Sequence, residues 1–193
     1  MTWTSDVTFV QGLDFFSSVV DQMPSDGWER PSPCAGWTGL DVLGHVGFTT
    51  EFGTKLLRAE SPDFSGFPDP PRSAVTADPQ QWWRGMVGPA KEAVQGVDLN
   101  RVVDSPIGQR SIGEGLSFPG VDLFVHGWDL ATTAGVEVAI PAEAMEFAHQ
   151  VIDPIPDAQK RSPRVFGPVV DVPPDASAQV KFLAWAGRDA TGN

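Results

Sequence analysis

Long apolar runs are missing from this sequence. None approaches the ~20 residues that a bilayer-spanning helix needs, so no membrane partner is expected. The first residues, M-T-W-T-S-D, lack the basic and apolar stretches of a secretory signal. Cysteine is nearly absent: Cys34 stands alone and forms no internal disulfide, which fits a reducing compartment. The expected localisation is therefore cytoplasmic. Positive charge is scarce, with 13 Lys and Arg against 25 Asp and Glu and a formal net charge of −12. That balance argues against nucleic acid, which needs a basic face. A glycine-rich phosphate loop, a G-x-S-x-G elbow and a paired-cysteine motif are also lacking. Ser/His/Asp hydrolase chemistry has no anchor.

What is present is a chain of 193 residues, 41% hydrophobic, long enough for one sizeable core. Its most informative stretch is Val121–Gly135, V-D-L-F-V-H-G-W-D-L-A-T-T-A-G. Asp122, His126, Asp129 and Thr133 follow at steps of four, three and four, which stacks them on one side of a helix. Val121, Leu123, Phe124, Val125, Trp128 and Leu130 cover the remainder, so the helix is predicted to be buried. A carboxylate and an imidazole there need partners. Either they form a hydrogen-bonded pair or they are half of a metal site. With 25 acids in 193 residues, an acid four places before a histidine arises by chance about one time in eight. Spacing alone leaves both readings open.

Around this stretch the periodicity predicts helices. Phe9, Leu13, Phe16, Val20 and Met23 mark one over about Thr8–Met23. Pro24–Gly27 ends it, and Trp28–Trp37 is an irregular connection. Thr38 caps a second helix over about Gly39–Ala59, with Asp41 closing a capping box. Ser61–Thr76 is a proline-rich loop. Asp78-Pro79 opens a third helix burying Trp82, Met86, Ala90, Val94 and Val97, kinked or interrupted at Pro89. Val97–Ile112 suggests a small β-hairpin. The buried helix is expected to start near Pro119 and stop at Gly135. Pro141 opens another helix with Met145, Ala148, Val151 and Ile152 inward. Asp153–Pro174 is an irregular wrap, and Ser177 caps a last helix to Gly187. The fold class is all-α, a helical bundle.

Several other residues bear on function. His45 lies mid-helix on an inward face, a core histidine or a ligand. Its neighbour Asp41 is best explained as an acid at a helix N-terminus. Cys34 reads as a small buried hydrophobe, and His149 as lying on a solvated helix flank. Trp37 and Trp128 read as core aromatics, with walls of a pocket as the alternative.

Three stretches together carry a resemblance. R-P-S-P-C-A-G-W-T-G-L-D-V-L-G-H (Arg30–His45) resembles the segment leading into the first metal histidine of the mycothiol-dependent maleylpyruvate isomerase-like family. These proteins belong to the DinB/YfiT-like superfamily of metal-binding four-helix bundles. D-L-F-V-H-G-W-D-L-A-T-T-A-G (Asp122–Gly135) is similar to the family's second metal-site helix. V-P-P-D-A-S-A-Q-V-K-F-L-A-W-A-G-R-D (Val172–Asp189) resembles the C-terminal signature of its short, single-domain actinobacterial branch.

The resemblance implies one DinB-like four-helix bundle domain over residues 1–193. It implies His45, Asp122 and His126 as metal ligands, with Asp122 standing where the isomerase has a glutamate. Asp129 would be an outer partner of the site and a candidate catalytic group. Two imidazoles and one carboxylate leave zinc an open position, and nickel or iron accept similar donors. The implied cosubstrate is mycothiol or a similar thiol, and the implied partner a small electrophile, in a monomer or homodimer. The isomerase has a second domain that contributes to thiol handling, and this chain is too short to hold a sizeable one. The implied function is metal-dependent thiol transfer or isomerisation. Its alternatives are a non-catalytic metal or ligand-binding module and a vestigial site surviving as a packed polar cluster.

Overall fold

The computed structural model describes residues 3–60, 66–105, 108–161 and 166–191. Parts of three expected irregular segments, at 61–65, 106–107 and 162–165, lie outside these residues. The chain divides into two compact units, Met1–Val138 and Ala139–Asn193.

The first unit is built on four helices: α1 (Ser5–Val20), α2 (Gly39–Leu57), α3 (Pro79–Ala93) and α4 (Ile112–Ala134). Helix α1 packs on α4, α4 on α2, α2 on α3 and α3 on α1, which closes a four-helix bundle. Phe9, Leu13 and Phe16 of α1 meet Val42, Leu43 and Val46 of α2, Trp83 of α3 and Leu116, Leu123 and Leu130 of α4 in a single core. The α1–α4 seam is tight because small residues line it. A Cβ added at Gly12 would lie 2.8 Å from the Leu123 Cβ.

Local chemistry sets the helix ends. Thr38 accepts from the Asp41 N–H while Asp41 accepts from the Thr38 N–H, the expected capping box of α2. Asp78 caps α3 ahead of Pro79, and Gly135 closes α4 in the left-handed conformation at φ 75°. Three expectations need correcting. Helix α4 starts at Ile112 rather than Pro119, because Ser111 and Glu114 form a second capping box there. Pro119 sits inside the helix, where the carbonyl left without its usual N–H partner belongs to Gly115. In α3 the buried tryptophan is Trp83, not Trp82, and Met86 is only half-buried. Trp83 donates to Ser17 Oγ at 2.9 Å, so its indole N–H is satisfied inside the core. Helix α3 is also not interrupted at Pro89. The hairpin exists in minimal form, β1 (Val102–Val103) pairing antiparallel with β2 (Arg110–Ser111).

Between α2 and α3, a 3₁₀ turn over Pro71–Ala74 is clamped to the start of α2. Gly44 permits it: a Cβ there would sit 2.1 Å from the Pro71 carbonyl oxygen. Arg72 supplies the clamp. Its guanidinium donates to Asp41 at 3.0 Å, Thr38 Oγ1 at 2.6 Å and Glu29 at 3.0 Å, and its backbone N–H reaches Asp41 at 3.2 Å. Burial works to raise the Asp41 carboxyl, but the bonds from Arg72 and Thr38 outweigh it and lower it from 3.8 to about 2. A depressed carboxyl contributes stability that is complete above its unfolded value and lost as pH falls through its folded one. Asp41→Asn is therefore expected to cost about 2 kcal/mol at pH ~5, with the gap to the parent closing towards pH ~2. Urea melts of both proteins at the two pH values check this.

The second unit holds α5 (Ala142–Ile152), α6 (Asp157–Lys160) and α7 (Ala178–Trp185). Ala144, Phe147, Ala148 and Ile152 are the buried residues of α5, whereas Met145 and Val151, expected inward, are half-buried. Ser177 caps α7 by accepting from the Val180 N–H. His149 lies on a helix flank as expected, 41% exposed at its side chain, with Nδ1 3.1 Å from Asp153. Among the described residues no helix is long and apolar enough to cross a membrane.

Candidate metal centre

Helices α2 and α4 face one another, and their polar residues meet there. His45 of α2 places Nε2 2.8 Å from Asp122 Oδ2, across 77 positions of sequence. On α4, His126 Nε2 lies 3.4 Å from the other Asp122 oxygen, Oδ1. The ligand atoms of His45, Asp122 and His126 all fall within 4.8 Å of one another. Asp122, though shorter than glutamate, reaches both histidines. Thr49, one turn beyond His45, places its hydroxyl 3.2 Å from Asp122 Oδ2 and 3.2 Å from the Val46 carbonyl, which share its one proton.

The far edge of His126 is fixed as well. Its Nδ1 lies 2.9 Å from Asp129 Oδ2, and Asp129 is fully buried. A carboxylate only accepts, so the proton of His126 sits on Nδ1 and the lone pair on Nε2. That lone pair then faces an Asp122 oxygen at 3.4 Å, acceptor against acceptor, two donor atoms that a cation could bridge. Burial lowers the His126 imidazole, outweighing the raising effects of Asp122 and Asp129. Burial would also raise the Asp122 carboxyl. The two histidines and Thr49 overcome it and hold the group well below the usual carboxylate range. A neutral imidazole with its tautomer set by an outer carboxylate, beside an ionised carboxylate and a second imidazole, is a donor set suited to a divalent cation.

Aromatic rings wall the site. Trp37 lies 5.1 Å from the His45 ring and 6.0 Å from the His126 ring, nearly parallel to the latter. Phe67 covers His45 from the other loop at 5.6 Å. Trp37 therefore walls the site while also packing against the core, and Trp128 is buried as core. Asp122 keeps 23% of its side chain exposed, which gives a ligand its way in.

Cys34 differs from expectation. It is half-buried, and its thiol donates to Asp129 Oδ2 at 3.2 Å and lies 3.8 Å from His126 Nδ1. The loop holds it there: Ser32 Oγ accepts from the Cys34 N–H, and Pro31 pairs with Thr38. Because Cys34 and Asp129 both face the same ring nitrogen, the three do not form a cysteine–histidine–aspartate relay. Thr49 and Phe67 were not singled out by the sequence reading. Thr49 had a weak signal, since it lies four places after His45 on the same helix face; Phe67, in an aperiodic loop, had none.

The comparisons agree with this architecture. The family model for the mycothiol maleylpyruvate isomerase N-terminal domain matches residues 9–131, which contain Cys34, His45, Asp122, His126 and Asp129. Two solved structures share the fold, those of mycothiol-dependent maleylpyruvate isomerase and of a histidine-to-alanine mutant of it. They are 16% and 15% identical to this chain, each with a TM-score of 0.62 over 74% of it. The matched region covers 65% of those chains, so the present chain spans about two thirds of their length. No protein of curated function matches. On the strength of the family model the chain belongs to the mycothiol maleylpyruvate isomerase N-terminal domain family.

Proposed function

We propose that the chain is a metal-dependent enzyme that activates a low-molecular-weight thiol, mycothiol or a similar one, for transfer to or isomerisation of a small electrophile. The observation that carries the reading is the convergence of His45, Asp122 and His126, with Asp129 holding the His126 proton on the edge away from them. In this reading those three residues are the ligands and zinc is the first candidate cation, with nickel or iron able to take the same donors. A bound cation of this kind favours thiolate over thiol and so supplies a nucleophile at neutral pH. The chain's own residues do the rest. Asp129 keeps His126 Nε2 unprotonated, Thr49 anchors Asp122, and Trp37 and Phe67 keep water from two sides of the imidazoles.

The test is conjugation of a low-molecular-weight thiol to a panel of small electrophiles by zinc-loaded and chelator-stripped protein. Stripping is expected to slow the reaction at least ~100-fold, the order of what a Lewis acid contributes. Equal rates would replace the enzyme by a module that binds a metal or small ligand without catalysis.

A further inference from the structure

His126 has two nitrogen edges, and only Nε2 faces His45 and Asp122. The other edge has a donor set of its own. Nδ1 lies 2.9 Å from Asp129 Oδ2 and 3.8 Å from Cys34 Sγ, while Sγ and Oδ2 are 3.2 Å apart. A triangle with those sides has a point about 2 Å from all three corners, close to the ~2.0–2.3 Å of zinc-type bonds to nitrogen, oxygen and sulfur. A cation would therefore seat just off the plane of the three atoms with no donor displaced. Asp129 is 0% and His126 7% exposed while Cys34 is half-buried, so the position is reached from the Cys34 side. A thiolate, a carboxylate and a neutral imidazole together carry two negative charges, matching a divalent ion.

We propose that Cys34 Sγ, His126 Nδ1 and Asp129 Oδ2 form a second cation position, selective for metals softer than zinc, whose filling excludes filling of the first. Sulfur supplies the selectivity, since soft cations prefer thiolate to the nitrogen and oxygen donors of His45, Asp122 and His126 Nε2. The imidazole supplies the exclusion, which rests on the metal reading of the first site. A neutral ring has one lone pair. When the proton is on Nδ1, held by Asp129, the lone pair serves the first position. When a cation takes Nδ1, that proton moves to Nε2, where Asp122 Oδ1 at 3.4 Å is the acceptor. The Cys34 thiol proton leaves to solvent. One histidine thus directs a cation to either edge according to its softness.

Metal-free protein titrated separately with Cd(II) and Co(II) tests this. Cd(II) is expected to bind at one equivalent with sulfur-to-metal charge-transfer absorption in the ultraviolet. Co(II) is expected to bind at one equivalent with visible d–d bands and no sulfur band. Cys34→Ser should lose the cadmium band and keep the cobalt spectrum; His45→Ala should do the reverse. That reciprocal variant keeps the test decisive if either protein fails to fold. Cadmium binding without a sulfur band in the parent protein overturns the proposal, and so does simultaneous binding of two cations. A cadmium band in a protein that binds no Co(II) supports the second position and retires the reading of the first.

Discussion

His126→Ala is expected to abolish metal binding, lowering zinc affinity by far more than ~100-fold. The residue is the hub of the polar cluster. Its Nε2 faces Asp122 at 3.4 Å and its Nδ1 faces Asp129 at 2.9 Å, and its ring lies 4.6 Å from that of His45. Truncating an outer partner of a metal ligand typically costs 10–100-fold in affinity. On the proposed reading, losing His126 removes one of three donors and also deprives the fully buried Asp129 carboxylate of its imidazole partner. Asp129→Asn should therefore fall in the 10–100-fold range, because the ring stays but its tautomer is no longer dictated. Competition against a chromophoric chelator ranks the two variants. If Asp129→Asn bound as weakly as His126→Ala, Asp129 would be a ligand rather than an outer partner.

Phe16→Ala is expected to be the most costly truncation in the bundle, at about 3–5 kcal/mol. Phe16 is fully buried, with its ring 4.7 Å from that of Trp83 at 60°. It thus ties α1 to α3, and Trp83 in turn bonds back to Ser17 of α1. Removing the ring opens a cavity beside an indole whose N–H has only the Ser17 hydroxyl as its partner in that contact. Phe118, on α4 but 37% exposed, is the matched comparison, and its truncation should stay within roughly ±0.5 kcal/mol. Urea denaturation of both variants measures the difference. Equal losses would mean that the α1–α3 contact is not part of the cooperative core.

Much of this could be read from the sequence wherever the governing interactions are local. Capping boxes, a proline at the first helical position and a terminal glycine are decided within four residues, so the starts of α2 and α3 and the end of α4 were correctly placed. The start of α4 was missed because Pro119 resembles a helix opener, while the true signal, Ser111 with Glu114, lies among glycines that weaken the helical pattern. Trp82 and Trp83 are adjacent, and periodicity alone does not say which faces inward. The spacing of Asp122 and His126 was visible, but their meeting with His45 depends on how α2 and α4 pack, and only the family resemblance anticipated it. Cys34 could not be read at all. Its partners lie 92 and 95 positions away, and nothing in an irregular loop announces a tertiary contact of that kind.

Arg72 was described above as a clamp, but it also governs how the site opens. It binds Thr38, the residue after Trp37, and it belongs to the same stretch of chain as Phe67. Both aromatic walls therefore lie near residues tied to one guanidinium, Trp37 beside Thr38 and Phe67 five positions before Arg72, and that guanidinium is anchored to the buried Asp41. Swinging either loop away would strand a buried carboxylate, which is a costly motion. Phe67, by contrast, is 40% exposed, and exposed rings change rotamer within picoseconds to nanoseconds. On the proposed reading, a ligand reaches the histidines past this one ring. The rate at which ligands exchange should follow the size of residue 67 rather than the opening of a lid.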